Sequence, residues 1–332
     1  MKVHVFESEP WIKSAWQATG SRLDTIWLEG LLTAEQARTC ADAEIISTDI
    51  SQLDESFLSV FKQLKMIAVR ATGVDNIDFD FCRKKGITVC NVPAYAQNAV
   101  AEHVFALLLA IGRHVAEASR RTSRLDFSWD GIQGFELMGK TLAVVGTGVI
   151  GRCVARIARG FGMQVKAFDA YPDNAWAVKD DVQYGSLDEI LQEADIITLH
   201  VPGRPETRHL LSAECFDLMK NGAVIINTSR GDVVDSRALL GALASGKVAA
   251  AGLDVLPGED NLINEKSRRQ VLGDSIAVQQ TQLANHLLLQ HPRVLVTPHC
   301  AFFTKEAGSR LVQVTVNNIE AFIRGAPGNI VA

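Results

Sequence analysis

Several features that would mark other classes of protein are missing from this sequence of 332 residues. Its net charge is −5 and its charged side chains are dispersed, so no basic tract predicts binding to nucleic acid. Its longest apolar runs, such as Val104–Gly112, are well short of the roughly 20 residues that span a bilayer. The first residues contain no secretory hydrophobic region. We therefore expect a cytoplasmic protein that binds neither nucleic acid nor membrane.

Cysteine is sparse and scattered. The cysteines, at positions 40, 82, 90, 153, 215 and 300, form no CxxC pair and lie mostly in apolar or helical contexts. We therefore predict reduced thiols, with neither a disulfide nor a metal site. No low-complexity linker or short repeat divides the chain, and its length and hydrophobic content of 47% allow two domains with substantial cores.

The most informative stretch is VVGTGVIG, residues 144–151, in which an apolar strand ends in spaced glycines and continues into a helix. The glycines would allow a tight turn, close approach of the backbone to a pyrophosphate, and close packing of helix on strand; in that order they are Gly146, Gly148 and Gly151. A second strand, Gln164–Phe168, is followed by Asp169, 18 residues after Gly151, at the distance where an acid usually binds the ribose hydroxyls. The stretch predicts dinucleotide binding, and Asp169 predicts NAD because a carboxylate would repel a 2′-phosphate. The alternative is a glycine turn that serves packing only.

Short apolar strands alternate with amphipathic helices along the chain, which is typical of parallel sheets covered on both faces. A capping box at Thr33–Gln36 begins one helix, and caps at Ser186 and Asp235 begin others. The stretch from Asn98 to about Arg121 predicts one long helix with Asn98 as its cap. Further helices are predicted over 276–290 and 304–324. The predicted fold class is α/β, with two doubly wound parallel sheets.

Six motifs, in fixed order, resemble those of the D-2-hydroxyacid dehydrogenase family. The motifs are TGVDNID at Thr72, VPAYAQNAVAEH at Val92, VVGTGVIG at Val144, NTSRG at Asn227, GLDV at Gly252 and TPHCAFFT at Thr297. The resemblance covers essentially the whole chain. Stretches such as GFGMQVKAFDAYP and MKNGAVIINTSRG are similar to the branch of fermentative D-lactate dehydrogenases.

The resemblance implies a particular domain organisation. A discontinuous, flavodoxin-like substrate domain would comprise residues 1–97 and 298–332, and a Rossmann cofactor domain would comprise residues 98–297. The segment Arg121–Lys140 commonly helps to form a dimer in this family, so the resemblance also implies a homodimer or homotetramer.

Three side chains have the chemistry that reduction of a 2-oxo acid needs. Arg230, in the loop after a strand, offers a planar fork for bidentate binding of a carboxylate. His299 titrates near neutrality and can protonate the carbonyl oxygen, and Glu259 can pair with His299 and raise its pKa. Taken singly, each has an ordinary alternative, a surface salt bridge or a solvated loop side chain. All three match the family's catalytic Arg, Glu and His.

The resemblance also implies supporting contacts. On the cofactor they are Gly146, Gly148, Val149, Ile150 and Gly151 at the pyrophosphate, Asp169 at the ribose, Val201 and Pro202 on the adenosine side, Thr207, Thr228, Ser229 and Arg230 at polar groups, and Asp254 at the nicotinamide amide. On the substrate they are the backbone near Thr72 and Gly73, and the side chains of Tyr95, Arg230, His299 and Phe302. For Tyr95 and Phe302 the alternative is ordinary packing. His103 and His200 lie in or beside apolar elements and are interpreted as structural.

Two departures from the family pattern bear on the site. VLPG stands between Asp254 and Glu259, where an aromatic residue followed by an acid is usual, so Glu259 could be placed differently. Gln97 stands where proline is more usual, which could loosen the substrate loop.

The sequence thus predicts an NAD-dependent D-2-hydroxyacid dehydrogenase, with reduction of pyruvate to D-lactate as the first hypothesis. The alternatives are reduction of another 2-oxo acid, such as glyoxylate, hydroxypyruvate or a bulkier one, and an NAD(H)-sensing protein like the transcriptional corepressors of this fold. The preferred substrate, the choice between dimer and tetramer, and allosteric regulation are left open.

Overall fold

The structure, a computed structural model, describes residues 1–259 and 276–332. These residues form two compact units, the first made of 1–96 and 303–332 and the second of 97–302. Each unit contains a parallel sheet, which confirms the predicted α/β class. The chain re-enters the first unit at Phe303, whereas the sequence predicted that it would do so at Pro298. The assignment of substrate and cofactor roles to the two units stays a prediction.

The first unit is built on a five-stranded sheet. Its strands are β1 (Lys2–Val5), β2 (Asp24–Trp27), β3 (Ile45–Thr48), β4 (Met66–Val69) and β5 (Thr88–Cys90), and its first helices are α1 (Pro10–Ala18), α2 (Ala34–Thr39), α3 (Glu55–Leu58) and α4 (Phe79–Lys85). The strand order is β2-β1-β3-β4-β5, and all neighbours are parallel. Consecutive strand residues point to opposite faces, so Ile45 and Ile46 are buried in different apolar clusters. Both faces are therefore covered.

The second unit is built on a seven-stranded sheet. Its strands are β6 (Thr141–Val145), β7 (Gln164–Phe168), β8 (Gln183–Tyr184), β9 (Ile196–Leu199), β10 (Ala223–Asn227), β11 (Val248–Leu253) and β12 (Val294–Val296). They lie in the order β12-β11-β10-β9-β6-β7-β8, all parallel. The chain leaves β6 first toward β7 and then, from β9 onward, in the opposite direction. The carboxyl ends of β6 and β9 therefore flank a topological switch point, where open α/β sheets bind their ligands.

The described helices of the second unit cover both faces of this sheet. They are α5 (Gln97–Gly112), α6 (Val115–Thr122), α7 (Val149–Gly160), α8 (Asn174–Asp180), α9 (Leu187–Glu193), α10 (Ala213–Leu218), α11 (Ser236–Ser245) and α12 (Ile276–Gln290), with 3-10 turns at Pro205–Thr207 and Gly231–Val233. Among residues 1–259 and 276–332 no single helix is long and apolar enough to span a membrane, although α5 and α6 together, bent by 58° at their junction, have the length and composition of a span.

The single helix predicted from Asn98 to Arg121 is wrong. The structure has α5 and α6 instead, and Asn98 lies inside α5 rather than capping it. His114, between the two helices, has a left-handed backbone with φ of 50°. The carbonyl oxygen of Gly112 accepts a hydrogen bond from the Phe135 N–H at 2.9 Å, so a distant segment supplies the partner that the end of this helix lacks.

The chain returns to the first unit through α13 (Lys305–Ile323), which agrees with the helix predicted over 304–324. Thr304 caps it by accepting a hydrogen bond from the Ala307 N–H. Val312, Val316 and Ile319 of α13 pack in the same apolar cluster as β1. Residues beyond α13 then lie alongside β5, where Val331 donates its N–H to the Val89 carbonyl.

Candidate active site

The predicted glycine turn lies at the carboxyl end of β6. A Cβ on Gly146, whose φ is 97°, would lie 2.7 Å from the backbone of His200, and a Cβ on Gly151 would lie 2.0 Å from the Gly146 oxygen. Packing therefore requires glycine at both positions. At Gly148, by contrast, no described atom lies within 4 Å of that Cβ position. Packing within the described chain does not require glycine there, which fits the predicted approach of a pyrophosphate.

The amino terminus of α7 supplies the other part of this turn. The helix begins after Gly148 without a side-chain cap from any described residue. Its first residue, Val149, is 57% exposed. The first N–H groups of a helix have no partner within the helix, and they carry its positive dipole end. The position of Val149 and Ile150 therefore suits a phosphate anion.

Asp169 is held beside this turn by hydrogen bonds. One carboxylate oxygen accepts from the Thr147 N–H at 2.6 Å and hydroxyl at 2.9 Å, and the other accepts from the Tyr171 N–H at 2.9 Å. The Tyr184 hydroxyl lies 2.6 Å from that of Thr147. Burial disfavours the charge of Asp169, but these bonds and the nearby Arg152 outweigh burial and lower its pKa. A fixed carboxylate therefore stands where the ribose was predicted to bind.

The remaining predicted cofactor contacts follow β9 and β10. Val201 and Pro202 follow β9 after one intervening residue, His200, and the Thr207 hydroxyl donates to the Pro202 carbonyl at 2.6 Å. The Thr228 hydroxyl oxygen, after β10, is buried and makes no hydrogen bond to any described residue. Buried polar atoms normally have a partner, so a polar group of a bound cofactor would complete this site. Together with Gly148 and α7, Thr228 makes the second unit fit a dinucleotide.

Arg230 is positioned by the last residue of β10. Asn227, which is fully buried, accepts hydrogen bonds from the Ser229 N–H and hydroxyl and donates one to the Arg230 carbonyl at 2.9 Å. The half-buried Arg230 guanidinium donates to the Ser229 carbonyl at 2.8 Å. This role of Asn227 was not predicted from the sequence, although asparagine often stabilises turns through its side chain.

His299 and Glu259 form a direct pair. The His299 Nδ1 atom lies 2.5 Å from one Glu259 oxygen, and the other Glu259 oxygen accepts from the Leu256 N–H at 3.2 Å. His299 has a φ of 50°, and its side chain is 44% exposed. The Phe302 ring meets the imidazole edge-on, with centroids 6.4 Å apart. Because Nδ1 faces Glu259, the outer nitrogen Nε2 is the one that can act on a substrate.

Charges around His299 set its protonation. The hydrogen bond that His299 donates to Glu259 raises the pKa of His299, and burial lowers it. The negative charges of Glu259 and Asp254 raise this pKa further, and the positive charge of Arg230 lowers it. The net pKa lies above the ordinary value of 6.5. The imidazolium therefore persists near neutrality, and Arg230 and His299 belong to one electrostatic site.

Asp254 fixes the loop that carries His299. Its side chain is only 1% exposed, and it accepts hydrogen bonds from the Thr297 hydroxyl at 2.5 Å and from the N–H groups of Cys300 and Ala301 at 3.0 and 2.9 Å. Burial disfavours its charge, but these bonds and His103 outweigh burial and lower its pKa. The sequence did not reveal this anchoring role. The predicted contact with the nicotinamide amide stays a prediction.

The VLPG stretch is compatible with the pair formed by His299 and Glu259. A Cβ on Gly231 would lie 2.1 Å from the Leu256 carbonyl carbon and 2.2 Å from the Pro257 nitrogen, so the two loops pack backbone against backbone. From the other side, the fully buried Asn285 donates to the Pro257 carbonyl at 2.7 Å. The loop before Glu259 is thus held by two elements.

The predicted substrate contacts of the first unit lie at neighbouring strand ends. Thr72 and Gly73 follow β4, and Tyr95 follows β5. The Thr72 hydroxyl donates to the Val92 carbonyl at 2.8 Å, and the Tyr95 carbonyl accepts from Arg310 at 2.7 Å. Their contact with substrate stays a prediction.

The departure at Gln97 and the two histidines interpreted as structural can also be described. The Gln97 amide oxygen is buried and makes no hydrogen bond to a described residue. Burial lowers the pKa of His200 to about 3, and its Nε2 atom lies 2.9 Å from the Thr198 hydroxyl. His200 is therefore neutral. His103 is bonded to the Thr297 hydroxyl at 3.0 Å.

Comparison with known proteins agrees with this geometry. The model of the NAD-binding domain of D-isomer specific 2-hydroxyacid dehydrogenases matches residues 105–301. The D-lactate dehydrogenase of Escherichia coli K12 is 35% identical over 332 residues, covering 98% of each chain. The aromatic 2-oxoacid reductase of Clostridium sporogenes is 38% identical over 260 residues, 78% of this chain and 76% of the relative.

One of the similar solved structures contains a bound cofactor. The D-lactate dehydrogenase of Aquifex aeolicus, complexed with NAD and lactic acid, is 36% identical, with a TM-score of 0.88 over 99% of this chain and 98% of that one. The chain therefore belongs to the D-2-hydroxyacid dehydrogenase family, in its D-lactate dehydrogenase branch, and is an NAD-dependent oxidoreductase that acts on 2-hydroxy acids.

Proposed function

We propose that this enzyme reduces pyruvate to D-lactate with NADH. The observation that carries the proposal is the pair formed by His299 and Glu259, in which Glu259 favours the imidazolium although the positive charge of Arg230 opposes it. This combination provides a proton donor and a cation for the carboxylate of a 2-oxo acid. Among such acids, the similarity of this chain to the D-lactate dehydrogenases of Escherichia coli and Aquifex aeolicus supports pyruvate as the substrate.

In the proposed mechanism, Arg230 binds the substrate carboxylate through two parallel hydrogen bonds. His299 gives the proton on Nε2 to the carbonyl oxygen, while Glu259 holds Nδ1 and stabilises the imidazolium. Bound NADH supplies the hydride to the carbonyl carbon. The backbone at Thr72 and Gly73 is proposed to bind the same carboxylate. In the reverse direction, neutral His299 takes the hydroxyl proton of lactate.

A panel of 2-oxo acids tests this function. We expect NADH consumption with pyruvate to show the highest kcat/KM among pyruvate, glyoxylate, hydroxypyruvate and phenylpyruvate, and chiral analysis to identify D-lactate. A preference for phenylpyruvate would support the second candidate, a reductase of aromatic 2-oxo acids. The similarity of this chain to the aromatic 2-oxoacid reductase of Clostridium sporogenes supports that candidate. Binding of NADH without turnover of any acid would instead support an NAD(H)-sensing protein.

The fixed carboxylate of Asp169 predicts a cofactor preference. We expect kcat/KM for NADH to exceed that for NADPH at least tenfold, because about 1.4 kcal/mol of charge repulsion already gives that factor. Initial rates at subsaturating concentrations of each cofactor measure it. Asp169→Asn should reduce the preference, with Asp181→Asn, an exposed acid of the same unit, as control. Equal rates with the two cofactors would show that Asp169 does not contact the ribose.

Glu259 predicts where the reduction rate falls with pH. Reduction needs protonated His299, so its rate falls as pH rises through the His299 pKa, which Glu259 raises. Glu259→Gln removes the negative charge and lowers that pKa. The fall in kcat/KM for pyruvate should therefore move to lower pH, with a smaller loss of rate in acid.

A pH profile of Glu214→Gln, an exposed acid of the same unit, serves as the control and should match the wild type. If Glu259→Gln leaves the profile unmoved, then Glu259 does not set the His299 pKa. The neighbouring Asp260, the alternative acid, lies outside the described residues.

We propose that the enzyme is a homodimer formed through the segment Arg121–Lys140. Its large apolar side chains Leu125, Phe127 and Trp129 are 86%, 77% and 83% exposed, an arrangement typical of protein interfaces. Sedimentation velocity should give a dimer for the wild type and a monomer for the double variant Phe127→Asp, Trp129→Asp. Tyr171→Asp, which alters an exposed aromatic residue elsewhere, is the control. An unchanged mass of the double variant would place the contact on another surface.

A further inference from the structure

Three side chains with metal-binding atoms, far apart in sequence, come together behind the loop of His299. They are His103 in α5, Asp254 after β11 and Cys300 after β12. The imidazole nitrogen, a carboxylate oxygen and the sulfur lie within 4.8 Å of one another. The sequence predicted no metal site because the cysteines form no close pair, but the fold brings His103 and Asp254 close to Cys300.

The positions of these atoms are close to those of ligands around a tetrahedrally coordinated cation. The His103 Nε2 atom lies 3.4 Å from the Asp254 Oδ1 atom. Two ligands that are each about 2.0 Å from Zn²⁺ in a tetrahedron lie roughly 3.3 Å apart, so this edge is already formed. The Cys300 sulfur lies within 4.8 Å of both atoms, so it is close enough to act as the third ligand after a small movement of its side chain. Both His103 and Cys300 are partly exposed, so a cation can reach them from solvent.

We propose that His103, Asp254 and Cys300 bind a thiophilic divalent cation such as Zn²⁺, and that this binding inhibits the enzyme. One thiolate, one imidazole and one carboxylate form a donor set that suits Zn²⁺ and Co²⁺ and leaves a fourth position for water. On binding, the Cys300 thiol releases its proton to solvent. In the structure the His103 Nε2 atom lies 3.0 Å from the Thr297 hydroxyl, which itself donates to Asp254, so Nε2 carries a proton. On binding, His103 releases this proton to solvent and takes one from solvent on Nδ1, and the Nε2 lone pair binds the cation.

Inhibition follows from the position of Asp254. The same carboxylate oxygen that lies near His103 accepts the hydrogen bonds of the Thr297 hydroxyl and the Cys300 N–H. A cation on this oxygen competes with both donors, which hold residues 297–301 in place. His299 lies in this loop, so its imidazole moves relative to Arg230. Binding of the cation is independent of the proposed function, and only the inhibition rests on it.

Co²⁺ titration of the purified enzyme tests the site directly. We expect one equivalent to give the near-ultraviolet thiolate-to-Co²⁺ absorption band, and competition with a chromophoric chelator to give the affinity for Zn²⁺. Cys300→Ser keeps the size of the side chain and should abolish the band and weaken Zn²⁺ binding at least tenfold. His103→Gln should weaken binding by a similar factor. Cys215→Ser, which alters another partly exposed cysteine, should leave the band unchanged.

The outcomes separate the site from the proposed function. Absence of the band in the wild type, or its persistence in Cys300→Ser, overturns the site. If Zn²⁺ binds through Cys300 but leaves kcat/KM for the preferred 2-oxo acid unchanged, the inhibition is overturned. A wild-type enzyme that fails to reduce pyruvate but shows the Cys300-dependent band would reject the proposed substrate and retain the metal site.

Discussion

Replacing His299 with Gln should lower kcat/KM for pyruvate by about 10²- to 10⁴-fold, the usual contribution of a positioned general acid. The loss should appear at every pH, because glutamine cannot donate the proton in any state. Steady-state kinetics across the pH range would measure it. Binding of NADH, followed by its fluorescence, should persist because the glycine turn and Asp169 are untouched.

The backbone of His299 requires a second variant. Its φ of 50° lies in the left-handed region, where glutamine is strained and asparagine is tolerated better. His299→Asn should therefore lose as much activity as His299→Gln while retaining more of the wild-type thermal stability. His209→Asn, at an exposed histidine with a similar φ of 52°, is the matched control. Near-normal reduction by His299→Asn would mean that another group supplies the proton.

Arg230→Lys should lower kcat/KM for pyruvate about 10²-fold or more. Lysine keeps the positive charge but loses the planar fork, and a hydrogen bond between charged groups contributes about 1.5–3 kcal/mol. Both kcat and the affinity for pyruvate should fall, because the carboxylate is held in the ground state and in the transition state. Affinity for NADH, measured by fluorescence titration, should change little.

Arg237→Lys provides a matched control in the same unit. The Arg237 guanidinium donates to Gln280 on the surface, so its replacement should leave kcat/KM near the wild-type value. Near-normal turnover of Arg230→Lys would show that the substrate carboxylate is held elsewhere, for example by the backbone near Thr72 and Gly73.

Local patterns in the sequence predicted the elements that depend on neighbouring residues. The strand, glycine turn and helix at 141–160 have the predicted order, and helix 276–290 has the predicted bounds. The predicted capping box at Thr33 and the predicted cap at Ser186 are also present. These features depend on periodicity and on side chains three residues apart, which a sequence displays directly.

Features that depend on distant residues were missed. Nothing near Gly112 signals that its carbonyl will bind the Phe135 N–H, because their contact joins segments separated in the chain. The anchoring of the His299 loop by Asp254 likewise arises because β11 and β12 are neighbours in the sheet. The family resemblance supplied candidate residues, but the positions of the atoms come from tertiary packing.

The discontinuous first unit has a consequence for how the chain folds. Residues 97–302 leave the ribosome as one continuous stretch, so the second unit can complete its core from consecutive sequence. The sheet of residues 1–96 acquires α13 and the pairing of Val331 with Val89 only after synthesis of the last residues. Bringing residues 303–332 back to the sheet of residues 1–96 closes a loop that contains the whole second unit, and contacts so distant in sequence form slowly. The apolar face around Val3, Ile45 and Met66 therefore stays exposed until α13 packs on it. Aggregation of the nascent chain would begin at this surface.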